Sequence, residues 1–182
     1  NDTIQDDSLR QRYNYIAGEI INKSAPSANI TYVVNRGHIH GVEPHLGVIN
    51  GEGVVGIVTQ VAQRHCRVMS ITHHSLRISA GLRNKDFFGT LRWNGGDTRK
   101  AMLYAIPEYA DVVIGDTIET TGYSNIFPTG VPIGSVLNKE INEGDNTLEL
   151  EIELFNNLYG VKDAYIVRDL MKDDLNQLDN QE

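Results

Sequence analysis

Cysteine is nearly absent. Cys66 is the only one among 182 residues, so an intrachain disulfide and a multi-thiolate zinc site are both excluded. Trp93 is likewise the single tryptophan and falls in an apparent strand. That leans against a sugar-binding surface, which relies on exposed aromatic platforms. No run of about 18 apolar residues occurs, so no segment reads as a membrane-spanning helix, and no signal-peptide pattern opens the chain. Basic residues are outnumbered, 16 Lys and Arg against 24 Asp and Glu, for a net charge of −8. A nucleic-acid binder needs a basic face to neutralise phosphates, so that class is set aside.

What remains is the composition of a folded body, 40 % hydrophobic and 22 % charged, flanked by polar ends. The chain begins with Asn1 rather than Met, which reads as a fragment of a longer protein. Residues 1–12 are polar, with Ile4 and Leu9 as their only large aliphatics, and read as the end of a helix or a linker. Residues 169–182 carry Asp169, Asp173, Asp174, Asp179 and Glu182, and are expected to form a flexible, solvated acidic tail.

The body between these ends reads as all-β. Leu148 to Leu154 alternates apolar and acidic residues over seven positions, so one face is buried and the other wet. Ile30–Val34 and Ala164–Val167 are short β-branched and aromatic runs. One unit recurs four times: a glycine-bearing strand, a polar gap, and a second strand. The copies run from Ala17-Gly18-Glu19-Ile20 to Ile30–Val34, from Val55-Gly56-Ile57-Val58 to Val68–Ile71, from Phe88-Gly89-Thr90-Leu91 to Ala101–Ala105, and from Ile133-Gly134-Ser135-Val136 to Leu148–Leu154. Each reads as a hairpin, and glycine inside a strand marks the sharp bend or bulge that a small barrel needs at its corners. With Gly47–Ile49, Arg77–Leu82, Asp116–Thr121 and Ala164–Val167 the total is about twelve strands. That is too many for one small barrel and suits two of six.

Two stretches are more specific. The first is Gly37-His38-Ile39-His40-Gly41-Val42-Glu43-Pro44-His45-Leu46-Gly47-Val48-Ile49, followed by Gly53-Val54-Val55-Gly56-Ile57-Val58. The second is Val113-Ile114-Gly115-Asp116-Thr117-Ile118-Glu119-Thr120-Thr121-Gly122, followed by Phe127-Pro128-Thr129-Gly130-Val131-Pro132-Ile133-Gly134-Ser135-Val136. In this order they closely resemble the bacterial rod shape-determining MreC family. Thr121 departs from that pattern, standing where the family usually has serine.

The resemblance implies two six-stranded β-barrels outside the inner membrane, preceded by a cytoplasmic start, one transmembrane helix and a coiled coil. Residues 1–12 would then be the stub of that coiled coil, and the fragment would be the periplasmic or extracytoplasmic region of a single-pass inner-membrane protein. It further implies a non-enzymatic scaffold of the cell-wall elongation machinery that maintains cell shape. The implied partners are MreD, RodA, the actin-like filament system and the elongation-specific class B penicillin-binding transpeptidase, which the scaffold would bind and activate. Homodimerisation would run through the missing coiled coil, with higher self-association open. The two motifs flank a central piece with its own hairpins. The expected arrangement is therefore a discontinuous first barrel over 13–50 and 107–168 with a second, inserted barrel over 51–106. Two sequential barrels split near residue 90 are the competing arrangement.

Several patterns invite a chemical reading. Gly51-Glu52-Gly53-Val54-Val55-Gly56 matches G-x-G-x-x-G literally, but β-branched residues follow where a dinucleotide site needs a helix. His38, His40 and His45 are close in sequence, yet a metal site needs further ligands and support behind them, and no metal or other cofactor is expected. Ser70, Ser75 and Ser79 stand near His73 and His74, but adjacent strand residues point to opposite faces and supply no nucleophile–base pair. The chain is therefore read as a non-enzyme. Arg64, His65 and Arg67 around Cys66 could lower a thiol pKa, but its place at the start of a strand reads as structural. Glu149, Glu151 and Glu153 form an acidic ridge that would guard an edge strand. The loop Gly122–Pro128 is the best candidate for function. Its Tyr123, Ile126 and Phe127 are expected to bind a partner, or, for Ile126 and Phe127, to plug a barrel end. A peptidoglycan or oligosaccharide-binding barrel module is the alternative to the scaffold.

Overall fold

The computed structural model describes residues 12–180, so the expected helix end over 1–12 lies, Arg12 apart, outside the described residues. Twelve strands run in order: β1 (Tyr13–Ser24), β2 (Thr31–Val34), β3 (Gly47–Asn50), β4 (Gly53–Val61), β5 (Cys66–Ser70), β6 (Ile78–Leu82), β7 (Phe88–Arg92), β8 (Lys100–Pro107), β9 (Thr117–Thr120), β10 (Pro132–Asn142), β11 (Thr147–Leu154) and β12 (Asp163–Asp169). One helix, α1 (Leu170–Asp179), follows them. The strands close into two six-stranded barrels, ordered β1-β12-β3-β4-β5-β2 and β10-β11-β8-β7-β6-β9.

The four glycine-bearing hairpins form as read: β1 pairs β2, β4 pairs β5, β7 pairs β8 and β10 pairs β11. Alternation sets the faces. Leu148, Leu150, Ile152 and Leu154 of β11 are all buried, while Glu149, Glu151 and Glu153 lie on the outer face, where Glu151 meets Lys100 at 3.5 Å. The ridge guards no edge, because β11 is paired on both sides, with β10 and with β8. The buried side chains of both barrels make one connected cluster.

The boundaries between the barrels differ from the expected ones. β4 and β5 close the first barrel, which takes 13–70 and 163–169, and the second barrel takes 78–154, including β9, β10 and β11. The cut expected at residue 50 falls inside a tight turn: the Asn50 side-chain oxygen accepts the amides of Glu52 at 2.9 Å and Gly53 at 3.2 Å. That turn makes β3 and β4 antiparallel neighbours, so they share a barrel. Hairpin repeats identify the units but say nothing of which two close on each other.

The expected flexible tail is also corrected. Residues 170–179 are helical, and Asp169 is the last residue of β12 and the N-cap of α1. Its carboxylate accepts the Met171 amide at 3.1 Å and binds the Arg12 guanidinium through two bonds of 3.1 and 2.8 Å. Leu170 N–H donates to the Arg12 carbonyl, extending the β1–β12 pairing by one step. Met171, Leu175 and Leu178 fall at i, i+4 and i+7, a helical spacing hidden by the acidic composition. Burial alone would raise the Asp169 pKa, but Arg12 and the amides of Lys172 and Met171 outweigh it, and the net direction is down. A depressed carboxylate contributes stability that is complete above the unfolded value of about 4 and lost as pH falls through the lower folded value. Acid titration followed by far-ultraviolet circular dichroism should therefore show helical signal lost only below about pH 4, and Asp169→Ala should abolish that step by removing the cap at all pH values.

Candidate functional site

The loop between β9 and β10 spans residues 121–131 and is closed at its neck by threonines. The Thr120 hydroxyl donates to the Pro128 carbonyl at 2.6 Å and accepts the Val131 amide at 2.9 Å. Thr129 Oγ1 donates to the Thr121 carbonyl at 3.1 Å. Thr121 Oγ1 accepts the Tyr123 amide at 3.3 Å and lies 2.8 Å from Ser79 Oγ. A serine at position 121 would present the same hydroxyl, which is why threonine serves in its place. Gly122, at φ +77°, turns the chain where a Cβ would strike the Thr129 hydroxyl. This neck makes the loop a compact surface element with its ends held together.

The three residues singled out in this loop have different fates. Tyr123 is 70 % exposed. Its ring lies 4.7 Å from that of Phe88, tilted by 37°, and Phe88 is itself half exposed. Ile126 is half-buried against the core. Phe127 is buried at 3 % exposure, so it is a core residue rather than a free contact for a partner. Its ring fills the space above Gly47 of the first barrel.

Sequence reasoning missed Phe87, Phe88 and Tyr109. Phe87 and Tyr109 meet edge to face at 5.8 Å, and Tyr109 is largely exposed. Two shallow grooves, of about 350 and 460 Å³, adjoin along Asp86, Phe87 and Phe88, with Tyr123 on one and Tyr109 on the other. A signal for Phe88 was present: inward-facing Leu91 puts residues 88 and 90 on the opposite face of β7. Two ion pairs flank the first groove, and Asp86 adds a carboxylate to the lining of both grooves. Arg83 pairs Glu119 at 2.6 Å and Lys85 pairs Asp116 at 2.7 Å. The Lys85 ammonium and the Val113 amide hold the Asp116 carboxyl below its ordinary range. Such a face sets exposed apolar rings within a polar, partly ion-paired rim.

The other candidates have structural roles. Gly51–Gly56 leads into β4, not a helix. His38 and His40 lie in a short 3₁₀ turn, and His40 Nδ1 accepts the Gly37 amide at 3.0 Å. No cluster of three metal-ligating side chains occurs among the described residues. Ser70 Oγ lies 3.2 Å from Thr72 Oγ1, His73 Nδ1 accepts the Ser75 backbone amide at 3.1 Å, and His74 Nδ1 meets the Asn29 side-chain oxygen, so these contacts of the two rings are not to serine hydroxyls. Cys66 is buried at the start of β5, as a structural residue, and burial pushes its thiol up to about 11. Trp93 is buried, and its Nε1 donates to the Asp97 carbonyl at 2.9 Å, so it offers no sugar platform. Among the described residues no helix is long and apolar enough to cross a membrane.

Residues 20–168 match the family model described as rod shape-determining protein MreC, barrel core. The cell shape-determining protein MreC of Escherichia coli K12 is 31 % identical over 130 residues, which are 70 % of this chain and 35 % of that protein. The Listeria monocytogenes protein of the same name is 26 % identical over 133 residues, 71 % of this chain and 45 % of that protein. This chain thus corresponds to less than half the length of either relative. Among solved structures, MreC of Listeria monocytogenes superimposes with a TM-score of 0.81 at 22 % identity, covering 90 % of this chain and 81 % of that one. MreC from Pseudomonas aeruginosa gives 0.77 at 18 % identity, with coverages of 84 % and 98 %. A chain from the complex between penicillin-binding protein PBP2 and MreC of Helicobacter pylori gives 0.68 at 16 % identity, with coverages of 86 % and 98 %. At these identities the solved structures speak for the two-barrel fold. The family match, spanning most of the chain from the middle of β1 almost to the end of β12, establishes that this chain belongs to the rod shape-determining MreC family.

Proposed function

We propose that this chain is the extracytoplasmic barrel region of a non-enzymatic scaffold. In this reading it maintains cell shape by holding a class B penicillin-binding transpeptidase of the elongation machinery at the inner membrane. The observation that carries the reading is a pair of exposed rings: Tyr123, on a loop whose neck is closed by four threonine hydrogen bonds, lies against Phe88 at the start of β7. Rigid, exposed aromatics bury large area at little entropic cost, which is what a docking anchor requires. The complex of PBP2 with MreC of Helicobacter pylori supports the choice of partner class. Activation would follow if the scaffold bound the active form of the transpeptidase better than the inactive form. MreD, RodA and the actin-like filament system would be engaged by parts of the protein beyond this chain, as would dimerisation through a coiled coil.

The test is binding to the soluble ectodomain of the organism's own elongation transpeptidase, read by biolayer interferometry. The expected result is a saturable signal that Tyr123→Ser weakens about tenfold, or about 1.4 kcal/mol, with the melting temperature unchanged. Absence of binding up to about 100 μM, both for the chain alone and for the chain fused to a dimerising coiled coil, would overturn the reading.

A further inference from the structure

The far end of the β9–β10 loop is wedged into the first barrel. Four residues beyond exposed Tyr123, the Phe127 ring lies over Gly47, the first residue of β3. A Cβ there would stand 2.7 Å from two ring carbons and 2.7 Å from the Ile126 carbonyl oxygen. Gly53, the first residue of β4, has φ +134°, and the Pro132 carbonyl occupies the place of its Cβ. Segment 126–132 of the second barrel therefore sits across the β3–β4 hairpin of the first. The same hairpin is held from another side. Asn50 and buried Asn156, in the connection back to β12, exchange two amide hydrogen bonds of 2.8 and 3.0 Å, and Asn156 also donates to the Val54 carbonyl at 3.0 Å.

We infer that the β9–β10 loop is a latch that couples occupancy of the Tyr123–Phe88 face to the relative pose of the two barrels. The inference rests on the reading of that face as the partner site. Its physical basis is continuity. Tyr123 and Phe127 belong to one loop with a closed neck, and the turn between them is pinned by the Asn125 amide donating to the Gly122 carbonyl at 3.2 Å. A partner seated on Tyr123 pulls on an element whose other end is packed against the other barrel. It therefore binds best in one inter-barrel pose and selects it. By reciprocity, changing the pose at Gly47 changes affinity at a face that Gly47 does not touch.

The experiment measures the pose directly. Nitroxide labels on Gln63→Cys in the first barrel and Glu143→Cys in the second, both exposed positions, report the inter-barrel distance by double electron–electron resonance on the whole 182-residue chain. Buried Cys66 leaves labelling to the introduced pair. Gly47→Ala is expected to shift or broaden the distance distribution and to weaken binding to the transpeptidase ectodomain about tenfold. Tyr123→Ser is expected to weaken binding while leaving the distances as in the wild type. If Gly47→Ala fails to fold, Phe127→Leu, which keeps an apolar side chain over Gly47, is expected to behave in its place. Wild-type distances in Gly47→Ala and in Phe127→Leu, or shifted distances in either with unchanged affinity, would overturn the latch. Unchanged affinity in Tyr123→Ser, with distances still shifted in Gly47→Ala, would instead overturn the partner face and the coupling with it, leaving the packing at the joint as structure only.

Discussion

Gly89→Ala should unfold the second barrel. The single methyl group it adds would fall on the carbonyl oxygen of Tyr104 in the neighbouring strand β8. Neither side has room to yield: β7 is held between β6 and β8, and β8 between β7 and β11. The situation repeats in two other hairpins, where a Cβ on Gly56 would meet the Met69 carbonyl and one on Gly134 the Glu153 carbonyl. The glycines therefore allow one strand to bend closely over its partner, as a narrow barrel demands. Inserting a methyl into packed side chains costs about 1–3 kcal/mol. Driving it into paired backbone should reach about 4 kcal/mol or more, the range reserved for such named defects. Loss of cooperative melting, followed by the fluorescence of Trp93 just after β7, would show it. Gly51→Ala is the control. Nothing lies within 4 Å of its added Cβ, so its effect should stay within about 0.5 kcal/mol. Equal stability of the two variants would refute the account of these bends.

Phe127→Ser carries the second large effect. Phe127 is 3 % exposed and packed over Gly47, so the substitution removes a buried ring and leaves a hydroxyl without a designed partner. Truncating a buried phenylalanine costs about 3–5 kcal/mol. In a chain of this size each kcal/mol moves the melting temperature by about 2–4 °C, so a fall of roughly 10 °C is expected by differential scanning calorimetry. Tyr123→Ser, four residues earlier, should move it by no more than about 2 °C. The contrast separates two aromatics that share a loop but not a role. A Phe127→Ser protein that melts like the wild type would mean that the ring does not hold the barrels together.

These two outcomes also mark where local pattern stopped being informative. In the Gly122–Pro128 segment neither strand nor helix periodicity operates, so no phase tells an inward ring from an outward one. Tyr123 and Phe127 look alike in sequence, and only packing against Gly47 of the other barrel distinguishes them. Phe88 was legible in principle, since β7 has a phase and Leu91 sets it, but its partnership with Tyr123 spans 35 residues and depends on how β6, β7 and β9 are arranged around the barrel. Tyr109 had no phase at all, lying after the end of β8. The C-terminal helix shows the opposite failure. Its apolar spacing was present, but a composition dominated by aspartates masked it until the Asp169 cap and its bonds to Arg12 were seen.

The residues alone determined the strands, their inward faces, the four hairpins and the need for two barrels. Each of these depends on interactions within some 20 residues: side-chain alternation along a strand, glycine at a bend, a turn between neighbours. Which hairpins share a barrel was decided by tertiary structure. β12 closes the first barrel from more than 90 residues beyond β5, pairing with β1 and with β3, and β9 closes the second by pairing with both β6 and β10. Closing a barrel means satisfying every backbone group along its last seam, and any antiparallel strand of suitable length offers those groups. What selects the strand is side-chain fit and chain connectivity in three dimensions, which no window along the chain contains.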